Sequence, residues 1–331
     1  MTTRPSIVAH RGASGYLPEH TLAAYELGIR QGADAFEIDV VMTRDGVLVA
    51  RHESNIAHST DIARRPDFAS LRATRAVEGL TQTGWFTEDL TWAEVQRLRA
   101  VEPLPALRST AHDGEWGIAS LEQILQLRSR LSEELGRPVG LKLEVKSPEY
   151  FTEIGLPIEP ALIESLGAAH ALGGESPVEV MSFDFGFLAR LRGLGVENGL
   201  VFLVEEDPHR RVPGHPEWTY GRALRPPALA EVAQVVTAIG PGRRVLFPGA
   251  AEGALGEPTS VFADAHAAGL RVDCWTFRAE NAFLPPEFRS SEDPTEPGDL
   301  AGVVAAYVAA GLNTVITDHP DRVRPTAAAV G

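Results

Sequence analysis

Residues 32–53 read GADAFEIDVVMTRDGVLVARHE, and their spacing decides how the whole chain is read. From Ala35 to Val40 the apolar side chains alternate with Glu37 and Asp39, so a strand here carries both carboxylates on one side. The apolar run around them marks a buried strand rather than a surface one. TRDG then reads as a turn, and VLVARHE as the returning arm of a hairpin that ends at His52. Two carboxylates side by side in such a setting repel each other and lose hydration. Salt-bridged surface carboxylates are the plainer alternative. A hard divalent cation, Ca²⁺ or Mg²⁺, fits a buried pair better because both ions favour carboxylate oxygens.

Similar short apolar runs recur along the chain, at Ile7–Ala9, Ala35–Val40, Val139–Lys146, Val178–Phe183, Gly199–Val204, Arg244–Pro248, Arg271–Phe277 and Thr314–Thr317. Amphipathic stretches with recognisable ends separate them. Thr21–Gln31 is closed by Gly32; Ser120 and Gln123 make a capping box ahead of LEQILQLRSRLSEEL, which Gly136 and Pro138 stop; Asp184 can cap FGFLARLRGL. Strands alternating with helices predict parallel βαβ units, and eight of them in this length predict a (β/α)8 barrel rather than an open sheet. The expected organisation is one α/β domain over residues 1–331. The segment from Glu53 to about Gly117 has no clear core strand and reads as an insertion, 53–117, between the second strand and its return helix. Such a loop lies on the C-terminal face of a barrel, where its chemistry occurs. Glu205–Pro227 and Glu280–Pro297 are further irregular stretches on that face.

At 44% hydrophobic and 23% charged, the chain has ample material for a core. Its net charge of −15 argues against a nucleic-acid or anionic-membrane surface. An anionic substrate then needs a locally positive pocket or a metal. The single cysteine, Cys274, leaves no intramolecular disulfide and reads as a buried small hydrophobe. No stretch is long and apolar enough to span a bilayer, and residues 1–12 lack a secretory h-region. The expected location is cytoplasmic, or periplasmic or secreted if the chain is a processed form.

The opening strand ends abruptly in His10 and Arg11, and PEHT follows a few residues later. In GLKLEVKSPEY, Glu144 shares a face with Lys146, so a third inward carboxylate can join Glu37 and Asp39. Lys146 then supplies a point charge suited to a phosphate oxygen. Lys142 falls on the same face, deeper, with no role assigned. If the hairpin arm returns to the barrel mouth, His52 faces His10, and paired histidines can take one proton and give another near neutral pH. His20 is a supporting candidate. His58, His112, His170, His209, His215, His266 and His319 read as loop or surface residues.

Taken together, HRGASGYLPEHT, GADAFEIDVVMTRDGVLVARHE, LEVKSPEYF, WTFR and TVITDHPD resemble the glycerophosphodiester phosphodiesterase family, from Ile7 to about Val323. The PEHT form and an insertion containing GWFTEDLT are similar to a bacterial branch of it. The resemblance implies a (β/α)8 barrel of the phospholipase-C-like phosphodiesterase type with one divalent metal, commonly Ca²⁺ or Mg²⁺. It implies Glu37, Asp39 and Glu144 as metal ligands and His10 and His52 as the general acid/base pair. Arg11 and Lys146 match its phosphate contacts, Glu19 a supporting residue, and Trp275 and Arg278 positions close to the substrate. Two residues depart from the pattern: Glu53 stands where Asp is common, and Met181 replaces a frequent Gln.

The expected reaction is hydrolysis of a small glycerophosphodiester, such as glycerophosphocholine or glycerophosphoethanolamine, to glycerol 3-phosphate and an alcohol. Water and the substrate's own hydroxyl, through a cyclic phosphate, are both open as nucleophile. A lysophospholipase D would share every one of these residues and differ in pocket shape, with exposed apolar residues such as those of FLPPEF favouring it. A catalytically silent barrel would not retain the full set of His10, His52, Glu37, Asp39 and Glu144. A glycosidase also uses two carboxylates, but carboxylates adjacent on one strand suit a metal better than a split acid and nucleophile.

Overall fold

Eight parallel strands close into a barrel in the computed structural model: β1 (Ser6–Ala9), β2 (Ala35–Met42), β6 (Gly140–Val145), β7 (Val178–Ser182), β8 (Leu200–Val204), β11 (Ala238–Pro241), β12 (Arg271–Phe277) and β13 (Thr314–Thr317). Pairing of β1 with both β13 and β2 completes the ring. The structure describes residues 4–251 and 254–323, so the ends of the expected 1–331 domain lie outside the described residues. The strands are apolar on both faces because helices cover the outside and side chains fill the inside. β8, LVFLV, is buried at every position.

The outer layer is made by α1 (Leu22–Arg30), α3 (Leu121–Leu135), α5 (Ile158–Ala168), α6 (Phe185–Gly193), α8 (Pro226–Val232), α10 (Val261–Ala267) and α11 (Leu300–Ala310). Their ends are set locally, as the sequence predicts. Thr21 accepts from the Ala24 amide, Ser120 and Gln123 form both halves of a capping box, Asp184 accepts from Phe187, and Gly136 closes α3 at φ 60°. The main core lies between strands and helices. Inside the barrel are smaller clusters, Met181–Val201–Leu203–Ala238 and Val8–Ala35–Ile316, each packed on Trp275.

β2 turns back through Thr43–Val47 into β3 (Leu48–Ala50), with Val40 opposite Ala50 and Met42 opposite Leu48. Between this hairpin and α3 lie the hairpin β4 (Ala73–Val77) and β5 (Leu80–Gly84), short 3-10 turns, and the one-turn helix α2 (Trp92–Val95) with its Thr91–Glu94 capping box. Other short elements crown the same end: α4 (Pro148–Glu153), the hairpin β9 (Arg211–Val212) with β10 (His215–Thr219), α7 (Tyr220–Ala223) and α9 (Arg243–Leu246).

The sixth strand differs from the sequence expectation. It is not Arg244–Pro248 but β11, AIGP, while Arg243–Leu246 forms the turn of helix α9. Gly240 and Pro241 are poor strand formers, which hides this strand in the sequence. In the barrel the reasons invert. A Cβ on Gly240 would lie 2.6 Å from Leu203 Cδ2, and Pro241 occupies the last strand position, where its missing amide is least costly.

Lys142, unassigned from sequence, finds its role at the deeper level of the barrel. It stands beside Glu37 on β2 and Glu179 on β7. Its ammonium donates to Asp273 Oδ2 at 2.6 Å and also pairs with Glu179. Lys142 and Asp273 are buried, so this ion pair has no water to replace a lost partner. Lys142→Met should lower unfolding free energy by about 3–5 kcal/mol in urea titrations. A loss below about 1 kcal/mol would show that water enters this layer.

Candidate active site

A cavity of about 1500 Å³ opens at the C-terminal ends of the barrel strands and is lined by His10, Arg11, Glu37, His52, Glu144, Lys146, Trp275 and Arg278 together. The β4–β5 hairpin and the β9–β10 hairpin contribute to its wall, through Glu78 to Leu80 and Arg210 to Gly214. The returning β2–β3 hairpin brings His52 into the same cavity as His10.

Strand register builds the acidic centre. Asp39 on β2 is directly opposite Glu144 on β6, and Glu37 is one pleat below on the same face. One oxygen from each of Glu37, Asp39 and Glu144 lies within 4.8 Å of the others, and all three side chains are buried. Cations and donors hold them in place. The Arg11 amide donates to Glu37 Oε2 at 2.8 Å, and its guanidinium lies 3.3 Å from Asp39 and donates to Glu19 at 2.7 Å. Lys146 donates to Glu144 at 2.6 Å and lies 3.7 Å from Asp39. His20 Nε2 is 2.9 Å from Asp39 Oδ2, while its Nδ1 meets the Tyr25 hydroxyl. Glu19 and His20 thus brace the site from PEHT.

The backbone bends to present these groups. Arg11, His20 and Ser147 hold left-handed φ values of 54°, 59° and 46°. Side-chained residues there are strained, and such strain concentrates at functional sites. Gly12, at φ 85°, could not carry a side chain, since a Cβ would sit 2.5 Å from the Ala24 carbonyl carbon.

Crowding divides the carboxylates. Burial, then repulsion from Asp39 and Glu144, raises Glu37 well above the carboxylate range. Burial raises Glu144 to about 8, with Lys146 opposing and Asp39 adding to the rise. Asp39 is disfavoured by burial, yet Lys146, His52 and His20 hold it well below its usual value. Four carboxylates, with Glu19 included, face two permanent cations, Arg11 and Lys146. With all four ionised they exceed those cations by two charges, which is what one divalent cation supplies in place of the protons that Glu37 and Glu144 otherwise keep, so the donor set fits a hard metal ion.

The histidines are tuned toward neutrality. Burial, then Arg11, lowers His10 to about 4, against the raising effect of Asp318. Burial, then Arg11 and Lys146, holds His52 well below its ordinary value. His52 Nδ1 lies 3.3 Å from Glu53 Oε1. His10 Nδ1 is 2.6 Å from Asp318 Oδ1. Although burial opposes it, Arg278 and Arg108 keep Asp318 ionised, so the carboxylate accepts and Nδ1 carries the proton. In the neutral ring Nε2 then carries the lone pair.

Sequence reasoning did not assign Asp318 or Arg108. Asp318 follows the last barrel strand directly, the same position that singled out His10 after the first. His319, read as a loop or surface residue, lies in the loop after β13 but is buried, its ring 5.2 Å from Tyr16 and its Nδ1 accepting from the Ala279 amide. It was missed because the turn after β13 folds inward beneath residues 14–16. Trp275 and Arg278 both line the cavity. The indole donates to the Gly240 carbonyl at 2.7 Å, and the guanidinium donates to Asp318 at 2.8 Å while lying over Phe283. Met181 packs in the barrel beside Glu144. Cys274 is fully buried, with its thiol pushed up by that burial.

Comparison with known proteins agrees with this geometry. The Glycerophosphoryl diester phosphodiesterase family matches residues 10–322. The chain is 30% identical over 311 residues to glycerophosphodiester phosphodiesterase GDPD6 of Arabidopsis thaliana, covering 88% of this chain and 79% of that one. It is 28% identical to a glycerophosphodiester phosphodiesterase of Haemophilus influenzae, covering 71% and 68%. Among solved structures, an Oleispira antarctica phosphodiesterase in complex with the product sn-glycerol-3-phosphate superposes at TM-score 0.62, with 19% identity, over 96% of this chain and 95% of that one. A glycerophosphodiester phosphodiesterase of Agrobacterium tumefaciens does so at TM-score 0.59, with 16% identity, over 97% and 99%. With its barrel closed and its family profile matched over nearly the whole length, this chain belongs to the glycerophosphoryl diester phosphodiesterase family.

Proposed function

We propose that this protein hydrolyses small glycerophosphodiesters, glycerophosphocholine and glycerophosphoethanolamine among them, to glycerol 3-phosphate and an alcohol. The observation that carries this reading is the convergence of three buried carboxylates, two histidines and two cations on one cavity of a chain in this family. Glu37, Asp39 and Glu144 are the proposed ligands of one divalent cation, Ca²⁺ first and Mg²⁺ second. When bound, such an ion supplies Lewis-acid polarisation of the phosphodiester and lowers the pKa of a nearby hydroxyl.

The chain's own residues do the rest. Arg11 and Lys146 bind the phosphoryl oxygens and stabilise the charge that grows there. Glu19 holds the Arg11 guanidinium in place for that contact. His10, with its Nδ1 proton committed to Asp318, offers Nε2 as the base that takes the proton from the nucleophile. His52, protonated against the anionic substrate, delivers a proton to the leaving oxygen. Trp275 and Arg278 border the substrate, and segment 53–117 acts within the same domain as one wall of the site.

The FLPPEF segment offers a lipid tail little apolar surface, although Phe283 lines the cavity and the exposed Leu80 stands on its wall. Leu284 is buried and Phe283 is half-buried beneath Arg278. Release of glycerol 3-phosphate from glycerophosphocholine, followed with a coupled dehydrogenase, should be abolished by chelation and restored by Ca²⁺ or Mg²⁺. Glu37→Gln, which removes a proposed direct ligand charge, should weaken Ca²⁺ binding by calorimetry by more than the about 10–100-fold that loss of an outer-shell partner costs. His10→Ala and His52→Ala should each lower kcat by about 10²–10⁴-fold; full activity in either, or after exhaustive chelation, sinks this reading. Followed instead by choline release, the product common to both substrates, lysophosphatidylcholine should be turned over at least about 10-fold more slowly than glycerophosphocholine. Faster release of choline from the lipid would reassign the protein as a lysophospholipase D.

A further inference from the structure

We propose that Arg108 is a positioning residue: the segment between β3 and α3 carries it across the barrel mouth to fix Asp318 and, through Asp318, the imidazole of His10. The proposal rests on the reading of His10 as the base.

Arg108 uses three different nitrogens on three different loops. Nη2 donates to Asp318 Oδ2 at 2.5 Å, Nε to Glu280 Oε1 at 2.6 Å, and Nη1 to the Ser14 carbonyl at 3.0 Å. These acceptors follow β13, β12 and β1 respectively. The side chain is only 6% exposed, so the contacts are not those of a solvated surface pair. A planar guanidinium can serve three acceptors at fixed angles, whereas an ammonium is a single point on a flexible stem.

The supporting segment is itself braced. The Arg108 amide donates to the Leu104 carbonyl, the Gly114 amide to Ala100, and the Glu102 amide to Asp113. Arg108 therefore arrives on a folded loop, and its fork orders two carboxylates rather than being ordered by them. Asp318 Oδ2 receives both Arg108 and Arg278, the latter at 2.8 Å, which leaves Oδ1 for His10 Nδ1. Glu280 shows the same dependence from the other side. Its Oε1 receives Arg108, while its buried Oε2 has no hydrogen-bond partner among the described residues. Without Arg108, Asp318 keeps only Arg278 on Oδ2, and Glu280 loses its one strong donor. The aspartate is then freer to rotate, and the imidazole it holds loses its fixed direction.

A stapling role alone would also explain a buried arginine, and a double-mutant cycle separates the two. Arg108→Lys should lower kcat for glycerophosphocholine about 100-fold, with KM changed by less than about 3-fold. In the His10→Ala background the same substitution should change the residual rate by less than about 2-fold, because the group through which it acts is gone. Equal losses in both backgrounds, or an effect confined to KM, would overturn the proposal. An undiminished rate in His10→Ala alone would instead overturn the assignment of the base. If near-UV circular dichroism shows that Arg108→Lys does not fold, Arg108→Gln, which retains an amide donor, runs the same cycle. Failure of both to fold would make Arg108 a structural staple and refute positioning.

Discussion

Crowding of like charge at the ends of two neighbouring strands is the constraint on which this structure turns. Parallel pairing of β2 with β6 in the register Asp39 to Glu144 forces three carboxylates into one small volume, away from water. Two unit charges 4 Å apart repel by about 4 kcal/mol at an effective dielectric of 20. Such an arrangement survives only with compensation. The chain supplies some of it through Arg11, Lys146 and His20, each of which reaches Asp39, and that is why Asp39 alone is pulled well below the carboxylate range. Glu37 and Glu144 are left partly uncompensated and move the other way. The split marks the place where a further positive charge belongs.

The barrel places a second carboxylate node, Asp318, at the end of β13, with β1 between it and β2 of the first. The two nodes do opposite things to their neighbours. The first gathers oxygen ligands; the second, ionised by Arg108 and Arg278, commits the Nδ1 proton of His10 and so sets which nitrogen is basic. The two meet through consecutive residues. His10 belongs to the Asp318 node and Arg11 to the carboxylate node, and the left-handed turn at Arg11 sends the two side chains to different partners. A single change of backbone direction at a strand end thus serves both the proposed base and the proposed phosphate contact.

What was legible in the sequence followed short-range periodicity. Glu37 and Asp39 stand out because a period of two in an apolar strand puts both carboxylates on one buried side, where a metal suits them better than surface salt bridges, and the capping residues Ser120 and Asp184 are read within four residues of their helices. What was not legible depends on the closed barrel. Arg108 and Asp318 are 210 residues apart, and His10 and Asp318 are 308 apart. No local pattern connects them, although each lies in a segment that had been picked out. β11 was misplaced for a related reason. Gly240 and Pro241 are poor strand formers by propensity, and only the close approach of Leu203 from the adjacent strand makes a glycine the residue that fits. Tertiary contact overrides propensity where the barrel is tightest.

The net charge of −15 and an anionic substrate are compatible for a reason of range. Much of the outer charge is already paired, as in the lattice of Glu26, Arg30, Arg130 and Glu134 on α1 and α3. What remains on the surface is screened over about 8 Å at physiological ionic strength. Arg11 and Lys146 are nearly buried within the cavity, and in the proposed reaction they act on the phosphodiester through a poorer dielectric, so their short-range attraction outweighs the distant excess of acid. Burial first, and then neighbouring cations, Arg11 with Arg278 for His10 and Arg11 with Lys146 for His52, push both histidines toward neutrality in the free protein. Two cations already border them, and a third and fourth positive charge in that volume would be repelled until an anion enters. In the proposed reaction, substrate charge is then what lets His52 take up a proton, which would tie the protonation state needed for the leaving group to occupancy of the site.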